Sequence, residues 1–184
     1  MAFPVPLTQA HALDTIREQN SSLQGIRWTP LQNLHVTLFF LGEVEEENIP
    51  AISQSISKVT EQTLSFNIEF EKIILVERKK NAGMIWARFL KNEFFTTLSM
   101  SLHHTVKSFL VVNQVMKDFI PHITIARLKR EAENEKINLS FDDKFSLPEI
   151  NFCELWKTIQ TKEGVVYKSL ERFKLRKLSD SDSI

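Results

Sequence analysis

One tetrapeptide pattern, histidine-apolar-threonine-apolar, occurs twice in this chain and constrains its fold more than any other feature. The copies are HVTL, which starts at His35, and HITI, which starts at His122. Side chains alternate between the two faces of a strand, so each copy places an imidazole and a hydroxyl on one face and two apolar groups on the other. The composition predicts about 0.06 chance occurrences of this pattern. Two copies therefore favour a functional pair over two half-buried strands with incidental histidines.

Length and charge indicate one soluble domain without a long electrostatic track for nucleic acid. A chain of 184 residues suits a single domain. Lysine plus arginine equals aspartate plus glutamate at 23 each, so a nucleic-acid substrate would be held locally, at an end. The single cysteine, Cys153, excludes an internal disulfide and is expected in the core. No signal peptide or membrane span is recognisable, which predicts a cytoplasmic protein.

Hydrophobic periodicity predicts a mixture of helices and antiparallel strands. Helices are expected from a Thr8 cap to about Asn20, from an Asn48 cap to Val59, and from Phe94 to Phe109. Strands are expected over Leu34–Leu41, Leu64–Val76, Met84–Leu90, Ile120–Ile125, Leu139–Phe145, Ile150–Ile159 and Val165–Leu175. The second and third of these strands read as a hairpin. Because there is no regular strand-helix-strand alternation, the pattern favours an α+β fold with antiparallel sheets.

The residues around both motifs resemble a known superfamily. The stretch RWTPLQNLHVTLFFLGEV, with PHITIAR placed so that its histidine follows the first by 87 residues, is similar to the 2H phosphoesterases. Within them it resembles the RNA 2',3'-cyclic phosphodiesterases, also described as 2'-5' RNA ligase-like proteins. The closing FCELWKTIQTKEGVVYKSLERFKL is similar to the last hairpin of that family, so the resemblance covers most of the chain. Thr158, where many relatives carry serine, and Pro4, in the opening apolar strand, depart from the pattern.

This resemblance implies a particular architecture. It predicts a two-lobed fold with a pseudo-twofold axis, in which antiparallel sheets line a central groove and helices cover the outer faces. Residues 1–176 are expected to form this single bilobal domain. The polar residues 177–184 are expected to form a flexible C-terminal tail.

The chemistry needed to open a cyclic phosphodiester matches the paired motifs. One group must take a proton from water and another must give one to the departing sugar oxygen, and His35 and His122 can do both near neutral pH. Thr37 and Thr124 can donate hydroxyl hydrogen bonds to non-bridging phosphate oxygens. The resemblance implies that His35 is the general acid, that His122 is the base and that the product is a 2'-phosphate. We expect no cofactor, no metal and no protein partner, with RNA ends or small cyclic nucleotides as the substrates.

Two further residues are candidate substrate-binding groups. Arg127 closes the second motif and could hold a phosphate oxygen. It shares strand parity with the apolar residues of the motif, however, so it reaches the groove only if the strand bends or ends near Ala126. Phe39 shares the parity of His35 and could stack on a base, although an aromatic residue on a strand more often packs in a core.

Three other functions remain open from the sequence. Cleavage or joining of 2'-5' linkages uses the same proton transfers as hydrolysis of the cyclic phosphate, so the motif does not separate these activities. A nucleotide- or RNA-binding module could keep the groove without turnover. A metallohydrolase would require three convergent ligands, and the motifs supply no obvious carboxylate to join the histidines.

Overall fold

The computed structural model describes residues 1–78, 82–110, 119–130, 132, 134–142, 144–162 and 164–177. Three helices lie within these residues: α1 (Leu7–Gln19), α2 (Ile49–Thr60) and α3 (Glu93–Val106). The eight strands are β1 (Ala2–Pro4), β2 (Ile26–Trp28), β3 (His35–Thr37), β4 (Phe70–Arg78), β5 (Ala82–Phe89), β6 (His122–Leu128), β7 (Phe152–Thr161) and β8 (Gly164–Lys174).

The strands form one continuous hydrogen-bonded sheet. Its order is β4-β5-β6-β3-β1-β7-β8, and β2 pairs with β6 beside β3. Every pairing between these strands is antiparallel. The predicted α+β class with antiparallel pairing is therefore confirmed, and the two motif strands, β3 and β6, are neighbours at the centre of the sheet.

The register of β3 against β6 relates the two motifs by a local twofold axis. Val36 lies opposite Ile123, and neither side chain is exposed. In an antiparallel pair, this register sets His35 level with Thr124 and Thr37 level with His122. Each histidine thus faces the threonine of the other motif, and all four side chains lie on the sheet face opposite the two buried apolar residues.

The helices cover the apolar face of this sheet. Each helix buries one stripe at helical spacing, and these stripes join Val36 and Ile123 in one hydrophobic core. The fully buried members of the stripes include Leu13 and Ile16 of α1, Ile52 and Ile56 of α2, and Leu98 and Leu102 of α3. Because the helices occupy one face, the polar face with the histidines is left as the groove.

Helix starts differ from the predictions in their capping residues. The helix α1 begins at Leu7 after Pro6, so Thr8 lies inside its first turn and is not the cap. Asn48 does precede α2, but its side chain makes no capping hydrogen bond. The cap of α3 is Asn92, whose side chain accepts a hydrogen bond from the backbone N–H of Phe95 at 2.9 Å. Among these three helices, a side-chain N-cap therefore stabilises only α3.

The predicted strand Leu139–Phe145 is wrong, since the described residues of that stretch form no strand. Phe141 and Phe145 instead pack edge-on against Phe70, with ring centroids 5.6 and 5.3 Å away. The alternation of apolar residues, which indicates a strand in sequence, here serves a loop that inserts its aromatic rings into the core.

Strands β3 and β4 are shorter than predicted. The extended pairing of β3 ends at Thr37, and Leu38 and Phe39 are both buried, so strict alternation stops there. Strand β4 begins only at Phe70. Its hairpin with β5 is confirmed, whereas the hairpin turn at residues 79–81 and residues 178–184 of the predicted tail lie outside the described residues. No helix in the described ranges is both long and apolar enough to cross a bilayer.

Candidate active site

The two histidines are held in the same way by the backbone that precedes them. The Nδ1 atom of His35 lies 2.6 Å from the carbonyl oxygen of Asn33, and Nδ1 of His122 lies 3.0 Å from that of Ile120. A carbonyl oxygen only accepts, so each Nδ1 carries the proton that it donates. In both rings Nε2 is therefore the nitrogen that a ligand in the groove can use, as acceptor when the ring is neutral and as donor when it is protonated.

Burial lowers the pKa of both histidines. For His35, desolvation lowers the pKa, the carbonyl of Asn33 partly opposes this, and nearby positive charges including Arg127 lower it further. For His122, desolvation again dominates, the carbonyl of Ile120 opposes it, and Arg127 lowers the pKa. Both rings are consequently biased towards the neutral form in the unliganded protein. An anion bound between them would favour protonation of one ring.

Aromatic rings fix the two imidazoles differently. Trp86 of β5 stacks on His122, with ring centroids 3.8 Å apart and planes inclined by 20°. His35 instead meets Trp156 of β7 and Tyr167 of β8 edge-on, at 5.0 and 5.1 Å. One face of His122 is thus covered by an indole. His35 instead makes T-shaped contacts with two rings, which stack on each other with their centroids 5.2 Å apart.

A buried carboxylate holds the rings beside His35. Glu154, which is 5% exposed, accepts hydrogen bonds from Nε1 of Trp156 at 2.6 Å and from Nε of Arg172 at 2.8 Å. Burial raises the pKa of Glu154, but hydrogen bonds from Trp156, Arg172 and Ser169 overcome this and leave the pKa below its ordinary value. The network therefore runs from a charged pair on β7 and β8 through Trp156 to the imidazole.

The β7–β8 hairpin is also tied to the motif strand from the other side. The side-chain amide of Asn33 donates to the carbonyl oxygen of Val165 at 2.8 Å. Asn33 thus has two structural roles. Its backbone carbonyl orients His35, and its side chain holds the start of β8.

A β-bulge in β6 turns Arg127 towards the groove. In the pairing of β6 with β5, Ala126 lies opposite Ile85 and Thr124 lies opposite Trp86, so Ile125 is an extra residue. Ile125 and Ala126 are both buried, at 4% and 0% exposure. Alternation is therefore reset after the bulge, and Arg127 lies on the face of His122 and Thr124. This is the bend that strict parity required for Arg127 to contribute to the site.

The proposed stacking role of Phe39 needs correction. Phe39 is 2% exposed and packs edge-on against His103, with centroids 6.1 Å apart, so its ring has no free face for a base. Its neighbour Phe40 is 60% exposed and lines the groove. The parity argument fails here because the chain leaves its strand after Thr37.

The groove comprises two cavities that meet at His35. The first, here called the arginine cavity, has a volume of about 600 Å³ and contains both histidines, both motif threonines, Arg27 and Arg127. The second, the apolar cavity, has a volume of about 560 Å³ and lies between His35, the segment after β3 and the β7–β8 hairpin. The two share His35, Thr37, Phe40, Thr158, Gln160 and Tyr167. Their combined space suits a ligand longer than one small anion.

Several residues of this site are not evident from sequence reasoning. From the sequence, Trp86 is expected to be a core residue of a hairpin. Nothing in its own strand, β5, indicates that it stacks on His122 of the neighbouring strand β6. Thr158 and Gln160 share the parity of Trp156 on β7, a spacing of polar and aromatic residues that could have indicated a groove face.

No group of three or more histidine, cysteine, aspartate or glutamate side chains suited to a metal ion occurs in the described part of the chain.

The fold places two symmetry-related histidine strands side by side at the centre of one sheet, where both motifs line one groove. A family model described as LigT like phosphoesterase matches residues 4–86. The chain is 30% identical over 169 residues to a protein of Archaeoglobus fulgidus named RNA 2',3'-cyclic phosphodiesterase, covering 87% of this chain and 94% of that one. A protein of the same name from Aquifex aeolicus is 24% identical, with 86% of each chain covered. On this evidence the chain belongs to the LigT-like phosphoesterase family of the 2H superfamily.

Solved structures show the same fold. A protein of Thermus thermophilus superposes with a TM-score of 0.81 at 24% identity, covering 96% of both chains. Escherichia coli LigT in complex with 3'-AMP superposes with a TM-score of 0.73 at 19% identity, covering 95% of this chain and 94% of that one. The likeness extends over nearly the whole chain, so both motif strands lie within the shared fold.

Proposed function

We propose that this protein hydrolyses 2',3'-cyclic phosphates at RNA ends or on nucleotides to 2'-phosphates, without a metal ion, by general acid-base catalysis at His35 and His122. The observation that carries the proposal is that the two imidazole rings have equivalent positions and hydrogen bonds, related by the local twofold axis. Each sits on a central strand, donates from Nδ1 to the carbonyl two residues earlier, and keeps Nε2 for the groove. The names of the relatives from Archaeoglobus and Aquifex support this choice of substrate.

Hydrolysis requires one neutral and one protonated imidazole. Neutral His122 accepts a proton from water at Nε2 as the water oxygen bonds to phosphorus. The bond from phosphorus to the 3'-oxygen breaks, and protonated His35 delivers its Nε2 proton to that oxygen. The product is a 2'-phosphate, and proton exchange with solvent restores the starting states. The assignment of acid and base follows the family resemblance.

The motif threonines and Arg127 would stabilise the charge that builds on the non-bridging oxygens. The register sets Thr37 level with His122 and Thr124 level with His35, so the two hydroxyls flank the position between the rings. Arg127 extends from the same face after the bulge, and its guanidinium donates to Sδ of Met84 at 3.1 Å, a weak acceptor that a phosphate oxygen could replace.

Phosphorus NMR of a short RNA ending in a 2',3'-cyclic phosphate tests this function, in the presence of excess chelator. We expect the cyclic signal to be replaced by that of a 2'-monophosphate. His35→Ala and His122→Ala should each reduce turnover by about a hundredfold or more, the range of general acid-base catalysis. The matched control is His104→Ala, which removes an exposed histidine of α3 outside the groove and should retain turnover.

Three outcomes would contradict parts of the proposal. An unchanged cyclic signal with folded protein would refute hydrolysis and favour the binding module. A 3'-monophosphate would refute the assignment of the leaving oxygen. Full turnover by either histidine variant would refute the two-histidine mechanism.

A further inference from the structure

Three uncharged polar side chains of the β7–β8 hairpin lie beside His35 in the groove. Thr158 of β7 is directly opposite Tyr167 of β8, and Gln160 lies two residues further along β7. All three line both the arginine cavity and the apolar cavity, so they lie where the two cavities meet. The described residues common to both cavities include no aspartate, glutamate, lysine or arginine.

The hydroxyl of Tyr167 has no hydrogen-bond partner within the described part of the protein, and Tyr167 is half-buried. The side chains of Thr158 and Gln160 likewise make no hydrogen bond to the described residues. A polar group that lines a groove in this way can bind a ligand. Because these three groups are neutral, they suit the uncharged oxygens of a sugar better than a phosphate, which is favoured beside a guanidinium group.

The ring of Tyr167 is held in place by two aromatic neighbours. Its centroid lies 5.1 Å from that of His35, in a T-shaped contact, and 5.2 Å from that of Trp156, on which it stacks. Trp156 is in turn fixed by the hydrogen bond from its indole to Glu154. A tyrosine has only two side-chain torsions, so a ring held in this way presents its hydroxyl to a ligand at little entropic cost.

The contact between Tyr167 and His35 indicates which ligand atom the hydroxyl can reach. In the proposed hydrolysis, Nε2 of His35 gives its proton to the sugar 3'-oxygen, which must lie about 2.6–3.2 Å from that nitrogen. The ring of Tyr167 touches the same imidazole. A sugar oxygen that leaves phosphorus has lone pairs for a second donor as negative charge builds on it. Tyr167 keeps its own proton, since the transferred proton comes from His35.

We propose that the hydroxyl of Tyr167 donates a hydrogen bond to the sugar 3'-oxygen that His35 protonates. The site thereby selects a sugar that carries this oxygen next to the phosphate. The inference rests on the proposed function, because that function places the 3'-oxygen at His35. It assigns the β7–β8 hairpin to the sugar and leaves the non-bridging phosphate oxygens to the motif threonines and Arg127.

The test compares two product analogues that differ by one hydroxyl, adenosine 2'-monophosphate and 3'-deoxyadenosine 2'-monophosphate. Dissociation constants are measured by calorimetry for the wild-type protein and for Tyr167→Phe, which keeps both ring contacts. We expect the wild type to bind the compound with the 3'-hydroxyl about tenfold more tightly. Tyr167→Phe should reduce this ratio about threefold or more, the range of one neutral hydrogen bond, and the contact with His35 should account for the ratio that remains.

A ligand and a variant serve as matched controls. 5'-Deoxyadenosine 2'-monophosphate lacks a different hydroxyl, so its affinity relative to adenosine 2'-monophosphate should be the same in the wild type and in Tyr167→Phe. Thr15→Val removes a hydroxyl from α1 outside both cavities and should keep the wild-type ratio for the 3'-hydroxyl. NMR titration of the ligand-free proteins should give the same pKa for His35 in the wild type and in Tyr167→Phe.

The outcomes separate this inference from the proposed function. A wild-type ratio near one, or an equal ratio in Tyr167→Phe, would overturn the contact. A reduced ratio together with a shifted His35 titration would also overturn it, because the hydroxyl would then act through His35. Binding needs no turnover, so the expected ratios in a protein that leaves cyclic phosphates intact would support the contact and refute the hydrolysis. Turnover with unchanged ratios would refute the contact alone.

Discussion

At the scale of single residues, the site depends on how firmly each imidazole is held. Nδ1 of both histidines is engaged by a backbone carbonyl, so neither ring can rotate without losing a hydrogen bond. The stacking partners then distinguish the two rings. Trp86 stacks face to face on His122, whereas Trp156 and Tyr167 contact His35 in T-shaped arrangements.

The face-on contact predicts a specific effect of Trp86 on the protonation of His122. An indole face stabilises a cation by about 0.5–2 kcal/mol, so replacement by leucine should lower the pKa of His122 further, while Trp86→Phe should largely retain it. The pKa is measured by NMR titration of the imidazole C–H signals. Trp86→Phe provides the matched control, and an unchanged His122 titration in Trp86→Leu would contradict the stacking role.

Trp86→Phe is also a favourable control for stability. The indole N–H of Trp86 is buried and has no hydrogen-bond partner in the described part of the protein. Removing it therefore costs no hydrogen bond, and a loss of activity in the leucine variant but not in the phenylalanine variant would reflect the ring contact.

At the scale of elements, a single carboxylate connects the β7–β8 hairpin to the ring that contacts the motif histidine of β3. Glu154 of β7 accepts hydrogen bonds from Trp156 on its own strand and from Arg172 on β8. Since Trp156 contacts His35, the hairpin and the motif strand β3 are in contact although they are not neighbours in the sheet. The bulge in β6 also affects the site at the level of a whole strand, because one extra residue changes the face on which Arg127 lies.

Glu154→Ala is expected to lower the free energy of unfolding by about 1–3 kcal/mol, the cost of leaving buried donors unpaired. Glu154→Gln keeps one acceptor oxygen and should lose less. Urea unfolding measures both effects. If the coupling to His35 is real, the alanine variant should also lose turnover at temperatures where it is fully folded, and normal turnover under those conditions would contradict it.

At the scale of the whole molecule, burial of ionisable groups at the groove predicts sensitivity to acid. The folded pKa values of His35 and His122 lie below the ordinary 6.5, and that of Glu154 lies below 4.5. In each case the unfolded chain binds protons at a higher pH than the folded protein, so stability rises with pH in that interval. The stabilisation is present above the unfolded values and is lost as pH falls.

Denaturant unfolding should therefore show a first loss of stability as pH falls below about 6.5, from the histidines, and a second below about 4.5, from Glu154. The buried Met1 amino group, whose pKa burial lowers from 8.0 to about 6, adds a loss that begins as pH falls below about 8. The double variant His35→Asn, His122→Asn should have a flatter profile between about pH 7.5 and 5.5, and His104→Asn is the matched control. An equally steep profile in the double variant would show that other groups cause the first loss.

Much of the architecture could be predicted from sequence because it depends on local patterns, and the resemblance of the residues around both motifs indicated the family. Alternation at the two motifs placed histidine and threonine on one face, and helical spacing located α1, α2 and α3. The ends of the helices and strands were harder to predict from the sequence. Thr8 has the composition of a cap but lies within α1, and the alternating Leu139–Phe145 segment forms a loop because its rings fill a space beside Phe70.

From the sequence it already follows that two strands of the same pattern each present an imidazole and a hydroxyl on one face, because successive side chains of a strand point to opposite faces. Which other residues join them depends on how distant parts of the chain pack together. Strand order made β3 and β6 neighbours, a bulge brought Arg127 to the groove, and pairing at a distance placed Arg27 beside it. Phe39 lies in the core for the same reason: its position depends on where the strand ends and on what packs above it, and these contacts join residues far apart in the chain.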